Sequence, residues 1–144
     1  MLRPVKVLAL LAVAGAGVAF AGLPGIPAQF QPYKQWHRVN AKPIKGGSPA
    51  HPGTKNVYAS KRAVSGKYPN GALVVKEGVD PRGFVSLIAT MRKVRGSDPA
   101  HGNWKFVEYT RSSRNAKFTE IARDGTCWGC HSIAKKTDWV YTTK

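Results

Sequence analysis

Tyr68-Pro69-Asn70-Gly71-Ala72-Leu73-Val74-Val75-Lys76-Glu77 is the stretch whose reading decides the fold. Pro-Asn-Gly is a turn signal, because asparagine and glycine tolerate the left-handed backbone of a tight reversal. The apolar, β-branched run after it reads as a strand entered from that turn. Successive side chains of a strand leave opposite faces, so Lys76 and Glu77 are expected on opposite sides of one sheet.

Strand texture continues in both directions. Residues 56–60 form a short strand candidate upstream, and Asp80-Pro81-Arg82-Gly83 is the next turn downstream. Residues 84–94 follow, with Val85, Leu87, Ala89 and Met91 on one side and Ser86, Thr90 and Arg92 on the other. Gly96-Ser97-Asp98-Pro99 breaks that run, Gly102-Asn103 opens residues 104–110, and residues 114–121 fit a strand or a loose helix. Four or five short strands at hairpin spacing predict a mainly β (α+β) fold: an antiparallel sheet with short peripheral helices and a C-terminal helix. Residues 23–32 read as an extended lead-in, 33–39 as a short helix and 42–54, rich in glycine and proline, as loop. Residues 22–54 and 55–144 are expected to form one domain.

The C-terminal helix is expected to begin at Cys127-Trp128-Gly129-Cys130-His131, which holds both cysteines of the chain. Cys-x-x-Cys-His is the attachment signature of c-type haem. Thiols three positions apart can each form a thioether to one porphyrin edge, and the adjoining imidazole can bind the iron as the proximal ligand. A structural zinc site needs four ligands, and only His131 lies nearby in sequence. A thioredoxin-like dithiol follows a strand within a βαβ unit, whereas this pair follows Arg-Asp-Gly-Thr near the chain end. A plain disulfide gives no role to the histidine.

The N-terminus reads as a signal peptide over residues 1–21. Arg3 and Lys6 are its basic region, residues 7–18 its apolar run, and Ala19-Phe20-Ala21 its cleavage site. That run is too short to span a bilayer, so no stable membrane span is expected after cleavage behind Ala21. A periplasmic or otherwise exported location agrees with haem c attachment. The full chain carries a net charge of +16, and without Arg3 and Lys6 it keeps 21 basic and seven acidic residues, a net +14. Such a surface suits an acidic redox partner or an anionic membrane, and export makes nucleic acid the least suitable partner.

Thirteen residues follow His131, and none is Met or His. A sixth protein ligand would have to come from Met91, His37, His51 or His101. Met91 sits in an apolar strand pattern and the histidines in polar, loop-like sequence, so an open distal iron site is expected. Four-helix cytochromes c′ share the C-terminal attachment and open site, but the strand-rich middle disagrees with a helical bundle.

Together these features resemble the cytochrome P-460 / cytochrome c′-beta family. The landmarks are Tyr33-Lys34-Gln35-Trp36, Val57-Tyr58-Ala59-Ser60, the stretch from Tyr68 to Glu77, Gly102-Asn103-Trp104-Lys105-Phe106, the cysteine motif and Thr137-Asp138-Trp139-Val140-Tyr141-Thr142. The resemblance implies a β-sheet fold, a homodimer, and one haem c held by Cys127, Cys130 and axial His131 with the opposite side open. P-460 members carry a lysine–porphyrin bond and oxidise hydroxylamine to nitric oxide or nitrous oxide, and Lys76 matches the linking position. Members of the c′-beta type lack that bond and bind nitric oxide or carbon monoxide in an apolar pocket. Tyr68 and Phe84 are candidate distal-pocket residues. Catalytic members place a carboxylate distally, yet residues 84–91, expected to wall the pocket, contain no acid. Hydroxylamine oxidation, gas binding and electron transfer to an acidic partner are the three functions to be weighed.

Overall fold

A computed structural model describes residues 22–46 and 49–142, so the expected signal peptide lies outside the described residues. Six strands form one antiparallel sheet in sequence order: β1 (His37–Arg38), β2 (Thr54–Ala59), β3 (Leu73–Val79), β4 (Val85–Lys93), β5 (Trp104–Thr110) and β6 (Thr119–Arg123). Every neighbouring pair is antiparallel, which short hairpin connections permit without crossovers. The single α-helix among the described residues, α1 (Gly125–His131), follows β6 directly and continues into a 3₁₀ segment, Ser132–Thr137. The fold is mainly β. No helix among the described residues is long and apolar enough to cross a membrane.

The N-terminal reading needs correction. A 3₁₀ helix spans Ala28–Gln35: it begins inside the expected lead-in, takes in the first three residues of the expected short helix and stops there. His37 and Arg38 instead pair with Ala59 and Tyr58, and the Val39 N–H donates to the Val57 carbonyl at 2.8 Å. Sheet pairing satisfies those backbone groups, which a frayed helix end would leave to water. A further one-turn 3₁₀ segment, Pro99–His101, lies between β4 and β5. Of residues 114–121, which fit a strand or a loose helix, the last three lie in strand β6.

Each face of the sheet has its own cover. Val75, Ile88 and Tyr109 pack with Phe30, Tyr33 and Phe118, so the N-terminal segment lies over one face. Val57, Val74, Met91, Trp104 and Phe106 pack with Trp139 and Val140, so the C-terminal segment lies over the other. Strand alternation assigns Lys76 to the C-terminal side and Glu77 to the N-terminal side, as expected. Glu77 is buried there, accepting hydrogen bonds from the Tyr33 hydroxyl at 2.7 Å and Asn56 Nδ2 at 3.1 Å, and it pairs with Lys34.

Candidate functional site

The helix bearing the cysteines hangs from the middle of β5. Asp124 accepts a hydrogen bond from the Phe106 N–H at 2.9 Å through Oδ1. Its own N–H donates to the Phe106 carbonyl at 3.1 Å, while its carbonyl receives the Cys127 and Trp128 N–H groups. Asp124 thus joins the sheet to the first turn of α1. Cys127 and His131, four residues apart, fall on one side of that helix. Both thiols are free, with Cys130 exposed and Cys127 half-buried. Burial, helped by the negative charge of Glu108, raises the Cys127 thiol to about 11 and keeps it neutral.

His131 is buried, its ring 4.8 Å from that of Phe106. Its Nδ1 lies 2.7 Å from the Trp139 carbonyl oxygen. A carbonyl only accepts, so Nδ1 carries the hydrogen and Nε2 keeps its lone pair. Burial lowers the imidazole to about 4, with Lys76 and His51 adding to the shift against the Trp139 hydrogen bond. The ring is therefore neutral at neutral pH, as an iron ligand must be.

Beside it opens a cavity of about 450 Å³, bordered by Thr126, Cys127, Cys130 and His131 from α1 and by Lys76 and Glu108 from the sheet. A smaller void of about 20 Å³ shares Lys76, Glu108, His51 and His131 and is walled mostly by apolar groups such as Val74, Ala89, Met91 and Phe106. It has room for one water-sized molecule.

Lys76, Ala89 and Glu108 are cross-strand partners on β3, β4 and β5. Lys76 is buried, and its ammonium stands 5.1 Å from the centre of the Tyr141 ring. Burial, then the charge of Lys55, lowers its amine from 10.5 to about 8, with Glu108 opposing. Glu108 is also buried. Oε2 lies 3.2 Å from His51 Nε2, and Oε1 has no hydrogen-bond partner among the described residues. The pairing of β5 with β6 shifts register between Glu108 and Tyr109, a bulge of the kind that re-aims side chains beside functional sites.

His51 reaches Glu108 from the loop before β2. Lys55 steadies that loop by donating to the carbonyls of His51 and Gly53, both at 2.9 Å, and to that of Gly46. The loop lies close against β3, since a Cβ on Gly78 would come within 2.8 Å of the Pro52 carbonyl oxygen. His51 is therefore a cavity residue, against the expectation of a solvated histidine. His101 behaves differently, stacking on Trp128 with ring centres 3.7 Å apart. Met91 is a core residue that also borders the small void.

Cys127, Cys130, His131 and Lys76 all border the larger cavity. Tyr68 and Phe84 border neither space. Tyr68 packs edge-to-face on Trp104, and Phe84 lies beneath the guanidinium groups of Arg82 and Arg111. Of residues 84–91, Ala89, Thr90 and Met91 border the small void. The acid missing from that run comes from the adjacent strand as Glu108, which alternation could have flagged as the one charge in line with Trp104 and Phe106.

This donor set fits a haem. It offers a neutral buried imidazole with an oriented lone pair, two unpaired thiols at the required spacing, and a cavity in the range of about 300–1,000 Å³ usual for ligand sites. An antiparallel sheet carrying such a site on a C-terminal helix defines a β-sheet cytochrome rather than a helical one. A family model described as Cytochrome P460 matches residues 30–142, and the chain belongs to that family. Membership makes it a haem c protein acting on nitrogen compounds. No curated protein matches the chain.

Proposed function

We propose that this protein is an exported enzyme that oxidises hydroxylamine to nitric oxide or nitrous oxide at a single haem. In this reading the haem is held by thioethers from Cys127 and Cys130 and by His131 as axial ligand. The haem supplies an iron centre that accepts electrons from the bound substrate. For either product, protons leave in the same number as electrons, so the site also needs a proton acceptor.

The observation that carries the reading is the placement of Lys76 and Glu108 on one face of the sheet, beside the same cavity as His131. Lys76 is the residue to carry the lysine–porphyrin bond, because its buried amine gives up its proton near pH 8 and so becomes nucleophilic. The new C–N bond replaces a porphyrin C–H bond, so its formation releases two protons and passes two electrons to an added oxidant such as peroxide. Glu108 is the proton acceptor. Its Oε1 is buried with no hydrogen-bond partner among the described residues, while Oε2 meets His51, whose side chain is one-fifth exposed and offers a route to solvent. General bases of this kind contribute about 10²–10⁴-fold to a rate. An acidic electron acceptor suits the strongly basic chain.

The apolar walls of the small void favour a second reading, capture of nitric oxide or carbon monoxide without turnover. An absorption spectrum and a turnover assay separate the two. A strongly red-shifted ferrous band with hydroxylamine-dependent reduction of an electron acceptor supports the enzyme. An ordinary high-spin haem that binds nitric oxide but leaves hydroxylamine untouched supports the gas-binding protein.

A further inference from the structure

The carbonyl that holds His131 belongs to a strained corner. Asp138 and Trp139 both have left-handed backbone, with φ of 53° and 68°, and neither is glycine. Two such residues in succession persist only where the surroundings over-determine them.

Those surroundings are specific. The Asp138 carboxylate, 2% exposed, receives the Lys93 ammonium on both oxygens at 2.7 Å. It also accepts the Tyr68 N–H at 2.8 Å. The Asp138 carbonyl accepts the Trp104 indole N–H at 2.8 Å, and the Trp139 N–H donates to the Ala134 carbonyl at 2.8 Å. Lys93 lies 4.7 Å from the centre of the Trp104 ring, so cation, carboxylate and indole form one buried cluster. β4 and β5 thereby grip the peptide whose next carbonyl meets the axial imidazole.

We propose that the Lys93–Asp138 ion pair, with Trp104, is a positioning device that tunes the axial ligand. By fixing the corner it keeps the Trp139 carbonyl on the Nδ1 hydrogen of His131, and so sets how strongly the imidazole donates to iron. Groups that orient a metal's ligands commonly alter metal-site properties about 10–100-fold. The inference rests on His131 being the axial ligand, as proposed above.

The test uses the haem-loaded protein and two measurements, the reduction potential and the spectrum of the ferrous nitric oxide complex. Lys93→Met and Trp104→Phe each loosen the corner from a different side, so one informs if the other does not fold. Each is expected to raise the potential, by about 59 mV for a tenfold change in a one-electron equilibrium. Each should also increase the share of nitric oxide complex that has lost its histidine, while Lys93→Arg stays near the parent. Variants that lose thermal stability but keep the parent potential and nitric oxide spectrum would overturn the proposal, leaving the cluster purely structural. If His131→Ala leaves the parent's nitric oxide spectrum unchanged, the axial assignment itself fails, and the proposal falls with it.

Discussion

Lys76 and Glu108 stand two strands apart on the same face of the sheet, with only Ala89 between them. At strand spacing their backbones are about 10 Å apart, so a small side chain in the middle leaves room between an amine and a carboxylate. Both border the cavity beside His131. The two groups need not neutralise each other, since the Glu108 contact among described residues is His51 and Lys76 turns toward Tyr141.

Glu108→Gln isolates the proton-accepting role. The amide keeps the shape and removes the base, so hydroxylamine oxidation is expected to fall about 10²–10⁴-fold. Nitric oxide affinity should change by no more than a few-fold. Thermal stability should change little, because Oε1 has no hydrogen-bond partner among the described residues and the amide oxygen can keep the contact with His51. Steady-state turnover, ligand titration and thermal melts check the three parts.

Lys76 predicts a pH dependence for formation of the lysine–haem bond. Burial disfavours the ammonium, so the amine is half deprotonated near pH 8 instead of 10.5. The neutral fraction falls about tenfold for each pH unit below that midpoint. With excess peroxide as the two-electron oxidant, bond formation followed by the ferrous red shift should therefore speed up as pH rises from 6 to 8 and level off above. Lys76→Met, and Lys76→Arg with its permanent charge, should keep haem and lose the red shift at every pH.

The opposite facing of Lys76 and Glu77 was legible because strand period is local. So was the cysteine–histidine motif, whose spacing is itself the chemistry. The meeting of Glu108 with Ala89 was not, because register is set by hairpin geometry and a bulge that no single residue announces. His51 gave no local sign, being carried to the cavity by a loop that Lys55 holds through backbone carbonyls. The Ala28–Gln35 helix was obscured by Pro27 and Pro32, which a short 3₁₀ segment tolerates better than their reputation as breakers suggests. Phe84 misled because burial under Arg82 and Arg111 looks, in sequence, the same as lining a pocket.

Gly102 tests the packing behind the axial ligand. Its φ is 68°, and an added Cβ would lie 2.7 Å from Trp139 Cδ1. Gly102→Ala therefore combines left-handed strain with a clash against the residue whose carbonyl holds His131. A loss of about 1–3 kcal/mol is expected in denaturant unfolding of the haem protein. A Gly102→Ala protein as stable as the parent would contradict this packing.

Glu77 supplies stability on the face away from the cavity, and its sign can be worked out. Burial alone would raise its pKa, but hydrogen bonds from Lys34, Tyr33 and Asn56 outweigh it and hold the carboxyl below its ordinary 4.5. The folded state then binds fewer protons than the unfolded chain as the carboxyl titrates. Its contribution is complete above about pH 4.5 and drains away as pH falls through the lower folded value. Glu77→Gln replaces a charge-assisted acceptor, leaving Lys34 and the Tyr33 hydroxyl with a weaker partner. Stability near pH 7 should drop by about 1.5–3 kcal/mol. The difference between variant and parent should shrink steadily below pH 4.5, because acid neutralises the parent's carboxylate and leaves the amide unchanged. Unfolding in denaturant at pH 7 and at intervals down to pH 3 reads both the drop and its convergence; a gap that stayed constant across that range would show that the charge of Glu77 contributes nothing.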